Sequence, residues 1–247
     1  MTTPAILLLL LAALPHTTTL QEADLVQRLA PTLHFHPREA HYPIPYACLA
    51  APHAPECTTP RQLWRHANAT LYYTHDAEAR AVTYVILFTR DAGYNVLGQR
   101  VGGHAVDVEF VRVHYGEPRP ATFLSAHSAD QGTWATGDDV YVSLGSHALY
   151  PRAGRVWRSL GVLNDVSSKR GPVWTPGDLT LVSLRDAEAT HGRLLRCRFR
   201  QFADPTAALQ GAPRHEGQAF WYRLLYPVSH KVLVLLGQRP PLPRRAC

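Results

Sequence analysis

Between residues 82 and 236 apolar and polar positions alternate mostly with a period of two, the signature of a chain that buries one face of each extended segment. Val82 to Thr89, Val106 to Tyr115, Thr122 to His127, Val140 to Leu144, Leu179 to Leu184, Leu194 to Phe199, Phe220 to Leu225 and Lys231 to Leu236 read as strands. Helical patterns are few and short: Glu22 to Leu29, and Pro60 to Ala67, which opens on a Thr-Pro start signal. Many short strands punctuated by Gly, Pro and Asp predict an all-β fold, an antiparallel β-sandwich of jelly-roll type with a few short helices. There is no internal repeat.

The first residues follow a different pattern. Ala5 to Leu14 form an apolar run of signal-peptide length, too short to span a bilayer, followed by small and polar residues near His16 to Leu20. The expected organisation is a signal peptide over 1–20, a single sandwich domain over 21–237 and a Pro/Arg-rich tail over 238–247. A signal peptide implies a secreted or lumenal protein in an oxidising compartment, where cysteines pair. Cys48 and Cys57 flank a proline-bearing loop and are expected to form a short disulfide that contributes about 2–3 kcal/mol by loop entropy. Cys197 and Cys247 are left to pair with each other or with another chain. Asn68-Ala69-Thr70 is an acceptor sequon for N-glycosylation, consistent with the same route.

Within the strands one run stands out chemically. Gly102-Gly103-His104-Ala105-Val106-Asp107-Val108-Glu109 sets an imidazole and two carboxylates in a β-branched segment. In a regular strand Asp107 and Glu109 share a face with Val111 and Val113, and carboxylates that close repel unless a cation or proton sits between them. His104 falls on the opposite face unless the glycine pair re-aims it. Two hard oxygen donors and an imidazole suit a divalent cation, Mg²⁺, Mn²⁺ or Ca²⁺. The competing reading is an edge strand with solvated acids. His127 and, in Gly145-Ser146-His147, His147 sit at strand ends from which a turn would aim them into a cleft with these acids, Ser146 and Asp165 among its neighbours. His34 and His36 alternate with Leu33 and Phe35 and are expected at the surface.

Charge and motif searches narrow the function classes. The formal charge of +6 comes almost entirely from scattered arginines, Lys occurring only at Lys169 and Lys231, so no nucleic-acid partner is expected. No Gly-x-Ser-x-Gly elbow, Walker loop, His-Glu-x-x-His or paired Cys-x-x-Cys is present, which removes the usual support for serine hydrolases, nucleotide hydrolases, zincins and zinc fingers. Arg196, Arg198 and Arg200 alternate with apolar residues and give one basic strand face suited to a membrane surface or acidic glycan, with a solvated edge as the alternative. Arg239 to Arg245 carries a Pro-x-x-Pro-x-Arg pattern of SH3-ligand type, irrelevant to a lumenal chain.

The motifs also have a recognisable order. Ala30-Pro31-Thr32-Leu33-His34-Phe35-His36-Pro37 with Tyr42-Pro43, Asp107-Val108-Glu109, Gly145-Ser146-His147-Ala148-Leu149-Tyr150-Pro151, Asn164-Asp165 and Gly171-Pro172-Val173-Trp174 resemble the vacuolar protein sorting-associated protein 62 family over roughly residues 29 to 176. That resemblance implies a β-rich fold more than an activity. More distantly, Gly103-His104-Ala105-Val106-Asp107-Val108-Glu109 is similar to the Gly-His-Arg-His-Asp-Trp-Glu heptapeptide of the necrosis-inducing Nep1-like proteins, secreted β-sandwich cytolysins that bind sphingolipid head groups. The similarity implies a cation held by His104, Asp107 and Glu109, with Asp91 as a fourth ligand. Ala105, Val106 and Val108 depart from that pattern, and with them the toxin activity.

The resulting expectation is a β-sandwich that uses a divalent cation to bind a glycan, a lipid head group or a protein partner. The alternatives are a metal-assisted hydrolase using His127 or His147, and a structural or decoy protein without a metal.

Overall fold

A computed structural model describes residues 16–50, 57, 69–96, 99–101, 103–116, 118, 120–128, 131–158 and 163–195. In chain order the elements are α1 (His16–Leu29), β1 (Thr32–His34), β2 (Ala69–Asp76), β3 (Ala81–Asp91), β4 (Tyr94–Val96), β5 (Gln99–Val101), β6 (His104–His114), β7 (Ala121–Ser128), β8 (Gln131–Thr136), β9 (Asp139–Val142), β10 (Leu149–Tyr150), β11 (Arg155–Arg158), β12 (Leu163–Val166), β13 (Val173–Trp174), β14 (Leu179–Ser183) and α2 (Leu184–His191), with 3-10 turns at Tyr46–Leu49 and Pro176–Asp178. A six-stranded sheet of order β14-β2-β3-β6-β7-β8 faces a four-stranded sheet of order β10-β9-β1-β13, and β4-β5 and β11-β12 form separate two-stranded ribbons. The fold is an all-β sandwich.

Alternation in β3 and β6 sorts the apolar side chains between two layers. Val82, Tyr84, Ile86 and Phe88 of β3, with Val111 and Val113 of β6, meet Leu33, Val140, Val142, Leu149 and Trp174 of the smaller sheet, and Val26 of α1 and Ala30 just after it close the same core. The opposite face carries Val85, Leu87, Val108 and Phe110, packed in one cluster with Tyr46, Cys48, Leu49, Leu184 and Leu195. The six-stranded sheet is therefore buried on both faces, which is why β3 reads as a nearly unbroken apolar run.

Two pairings are parallel, a departure from the antiparallel expectation: β1 with β9 and β14 with β2. Three residues of β1 sit between β9 and β13, so the first strand of the chain is a central strand of the smaller sheet. The strand expected over Leu179 to Leu184 ends at Ser183, where α2 begins with Asp186 in its first turn, a charge that favours a helix through its dipole. Leu194 and Leu195 are helical rather than extended. Helix α1 starts at His16, upstream of the expected Glu22. His36 is buried, against its expected surface place, and its ring accepts the Arg38 N–H at 3.1 Å.

Cys48 and Cys57 form a disulfide, with Cα atoms 5.7 Å apart. It lies buried beneath the outer face of the large sheet. Beside it the Tyr46 hydroxyl donates to the Gly192 carbonyl at 3.1 Å and accepts the Leu195 N–H at 3.0 Å, tying the disulfide loop to the end of α2. No described helix is long and apolar enough to cross a membrane. Residues 1–15, Asn68, the helix expected over 60–67, the strands expected over 220–225 and 231–236, the arginines at 196, 198 and 200, Cys197, Cys247 and the tail over 238–247 lie outside the described residues.

Gly171 lies where the segment entering β13 runs against the end of β1 in the smaller sheet. A Cβ at that position would lie 1.8 Å from the Phe35 carbonyl oxygen, and the adjacent Pro172 carbonyl accepts the Phe35 N–H at 2.9 Å. Gly171→Ala is expected to lower unfolding free energy by about 1–3 kcal/mol through overpacking. Gly177→Ala, where the nearest atom is 3.7 Å away, should change it by no more than about 0.5 kcal/mol. Urea denaturation of the two variants measures the contrast.

Candidate functional site

The two motifs singled out in the sequence meet in space. Leu144 to Ala148 form a tight turn in which the His147 N–H donates to the Ser143 carbonyl at 3.1 Å and the Ser143 N–H to the Ala148 carbonyl at 3.0 Å. Gly145 and His147 both lie in the left-handed region, at φ 75° and 55°. Histidine tolerates that region better than most side chains, and a Cβ at Gly145 would lie 3.0 Å from the Ala92 Cβ. This backbone drives the imidazole inward, where it stacks on Phe88 with ring centroids 3.8 Å apart and planes 3° from parallel.

Inside, His147 lies between two acids. Its Nδ1 donates to Asp107 Oδ2 at 2.9 Å, and its Nε2 faces Glu39 Oε1 at 3.7 Å without a hydrogen bond. Asp107 Oδ1 accepts the Val108 N–H at 2.9 Å. Glu39 collects backbone donors: its Oε1 accepts from Ala40 and His41, both at 2.8 Å, and its Oε2 from Gly145 at 2.7 Å. His147 is 0% exposed and Glu39 1%, so the charges are removed from water.

That arrangement fixes the protonation states. Burial by itself would lower the His147 pKa from 6.5, but its bond to Asp107 and the charge of Glu39 outweigh burial and raise it to about 10. Burial would likewise raise Glu39 from 4.5, and His147 together with the His41 and Gly145 N–H groups outweighs it, holding the carboxyl at about 2. The group is an imidazolium between two carboxylates.

A second network adjoins the first. Ser146 Oγ donates to Asp165 Oδ1 at 2.6 Å, the Tyr150 hydroxyl donates to Asp165 Oδ2 at 2.5 Å, and the Ser143 and Ser146 hydroxyls lie 2.7 Å apart. All four side chains are buried. Asp165 on β12 thereby clamps the Gly-Ser-His turn and β10 to the β11-β12 ribbon.

The expected metal ligands are distributed differently. Asp107 and Glu109 lie on β6, a central strand of the six-stranded sheet, and both are buried, which overturns the reading of an edge strand with solvated acids. Asp107 is drawn to His147. Glu109 accepts a short hydrogen bond from the Ser125 hydroxyl, which in turn accepts the Phe110 N–H at 2.8 Å. Asp91 lies opposite His104 in the β3–β6 register, and its Oδ1 accepts the Gly93 N–H at 2.6 Å. The side chains of His104 and His127 lie outside the described residues, although their backbones belong to β6 and β7. Among the described residues no group of three His, Cys, Asp or Glu side chains is placed to hold a metal ion.

Of the cleft residues, the structure brings Ser146, His147 and Asp165 together with Asp107, in a buried core rather than an open cleft. Sequence reasoning missed Glu39, Ser125 and Tyr150. Glu39 is a lone acid in a proline- and histidine-rich connection, with no spacing to link it to a turn more than one hundred residues away. Val106, next to Asp107, adopts φ 60°, a conformation a β-branched residue enters at a cost of about 1–3 kcal/mol and one that the surrounding packing holds in place.

Stability should follow the two titrations. The raised His147 pKa contributes fully below pH 6.5 and is lost as pH climbs towards 10; the lowered Glu39 pKa contributes fully above pH 4.5 and is lost as pH falls towards 2. Unfolding free energy is expected to plateau between pH 4.5 and 6.5 and to fall on both sides. His147→Gln should lower the plateau by about 3–5 kcal/mol, because two buried carboxylates lose their cation, and should flatten the alkaline decline. Urea melts across pH, for the wild type and the variant, measure both effects.

Comparison with protein-family models, with curated proteins and with solved structures finds no match for this chain. The roles assigned to Glu39, Asp107, His147 and Asp165 rest on the chain's own geometry.

Proposed function

We propose that the chain is a non-catalytic binding protein of the secretory pathway, in which the buried acid cluster serves the scaffold and recognition takes place on the outer surfaces. The observation that carries this reading is the placement of His147. A general base must come within hydrogen-bond reach of the proton it removes, directly or through one water. His147 is fully buried, with its Nδ1 committed to Asp107. Ser146 and Asp165, the other candidates beside it, are committed to each other. A hydrolytic site built on His147 thus loses its support.

The buried disulfide fits an oxidising compartment, and the resemblance to the vacuolar protein sorting-associated protein 62 family implies a β-rich fold. A cleaved signal peptide, glycosylation at Asn68, and a glycan, lipid head group or protein as partner belong to the same proposal.

A second reading is favoured by one observation. Asp91 and His104 face each other at the end of the β3–β6 pair, and Asp107 follows three residues after His104, so three of the four expected ligands fall at one end of the sheet. This reading keeps a divalent cation, Mg²⁺, Mn²⁺ or Ca²⁺, as a cofactor for partner binding.

Melting with chelator and with excess Mg²⁺, Mn²⁺ or Ca²⁺ separates the two readings. The scaffold reading expects one melting temperature throughout, with Asp107→Asn lowering it equally in every condition. The cation reading expects stabilisation by about 2.7 kcal/mol at one hundred times the dissociation constant, abolished in Asp107→Asn. Turnover of phosphate or glycosyl esters that disappears in His147→Gln, under conditions where this variant remains folded, would overturn the non-catalytic proposal.

A further inference from the structure

Away from the acid cluster, on the opposite face of the large sheet, one cation is buried without an adequate counter-charge. The registers of β2, β3, β6, β7 and β8 align Thr74, Thr83, Arg112, Phe123 and Trp134 in one row across five strands. The Arg112 side chain is 6% exposed. Its Nε donates to His114 Nε2 at 3.2 Å and its Nη1 makes a long contact of 3.5 Å with the Thr83 hydroxyl oxygen. The nearest carboxylate, Asp76, stands 3.9 Å from Nη2. It is itself 26% exposed, and its other oxygen accepts the Ala79 N–H.

A guanidinium has five N–H donors, and two are used here. Among the described residues Arg112 has no further hydrogen bond or ion pair, and the Thr83 hydroxyl donates to none. The contrast with His147 is direct: there two carboxylates surround one buried cation, while here one cation has a single, partly exposed acid beyond hydrogen-bond distance. A buried charge with so weak a partner is destabilising unless another anion completes it. The unused Nη1 and Nη2 donors form a planar fork that matches two oxygens of a tetrahedral or planar oxyanion.

We infer that Arg112, with the Thr83 hydroxyl, forms a binding site for a single oxyanion of the phosphate or sulfate class, taken either as the free ion or as the terminal group of a lipid. The site is independent of the acid cluster, because Arg112 projects from β6 on the face opposite Asp107 and Glu109. Asp76 competes with the anion for Nη2 and limits its affinity; being partly exposed, it can turn outward when the anion enters.

The full chain, produced through a secretory route, is titrated with inorganic phosphate and with sulfate against chloride at matched ionic strength, followed by calorimetry and melting temperature. Both oxyanions are expected to bind and to raise the melting temperature above the chloride value. Arg112→Gln should abolish the response, and Arg112→Lys, which keeps the charge but loses the fork, should weaken it roughly tenfold. Arg185→Gln, at an exposed site on α2, should leave it unchanged. Asp76→Asn is the decisive variant: the anion site predicts tighter phosphate binding, whereas a purely structural Arg112–Asp76 pair predicts only lost stability. Vesicles of phosphatidic acid, compared with phosphatidylcholine, separate the sources. Binding to the first alone, lost in Arg112→Gln, assigns the oxyanion to a lipid, and a response to free phosphate assigns it to the ion. Phosphate, sulfate and phosphatidic acid vesicles all indistinguishable from their controls, or an Asp76→Asn protein with no gain in phosphate binding, would overturn the site.

Discussion

The imidazolium of His147 between Asp107 and Glu39 is the interaction on which the arrangement of this sandwich depends. It joins three distant parts of the chain: the connection after β1, the first part of β6 and the turn before β10. Each of the three groups is costly alone. A carboxylate or imidazolium moved from water into the interior loses several kcal/mol of solvation, and only the combined charges and backbone donors restore it. An ion cluster of this kind adds less to net stability than an apolar core of the same volume would. Its contribution is to tie the three segments together, since both acids reach the same imidazole.

The surrounding features follow from that requirement. Gly145 and His147 enter the left-handed region so that one short turn both presents the imidazole and lets the Gly145 N–H reach Glu39. Asp165 fastens the same turn from the other side through Ser146 and Tyr150. Phe88 covers the ring with an apolar surface and keeps water out. Together these contacts hold the smaller sheet against the larger one along the edge where β10 approaches β7.

Much of this was legible in the sequence, and the failures have physical causes. The long apolar run of β3 and the apolar-rich segments of β6, β7 and β9 located these strands to within a few residues. β2 was missed because its apolar stretch, Leu71-Tyr72-Tyr73, is short and has threonines on both sides. α2 was misread because its first residue, Leu184, continues the apolar pattern of β14. The two-residue spacing of Asp107 and Glu109 pointed to a cation between them, and the structure instead gives each acid its own partner. For Asp107 the structure supplies an internal imidazolium, and for Glu109 a serine hydroxyl; the partner residues are remote in sequence, and alternation carries no information about such distances.

The central position of β1 has a consequence for biosynthesis. Thr32–His34 pairs on one side with residues 139–141 and on the other with residues 173–174. The smaller sheet therefore cannot close until about 140 residues beyond its first strand have emerged, and contacts of such long sequence separation form slowly. The earlier strands of the larger sheet are meanwhile available with one apolar face uncovered, a state open to aggregation. A chain built this way completes its core late in its synthesis, and its yield depends on what shields β3 and β6 until residue 174 arrives.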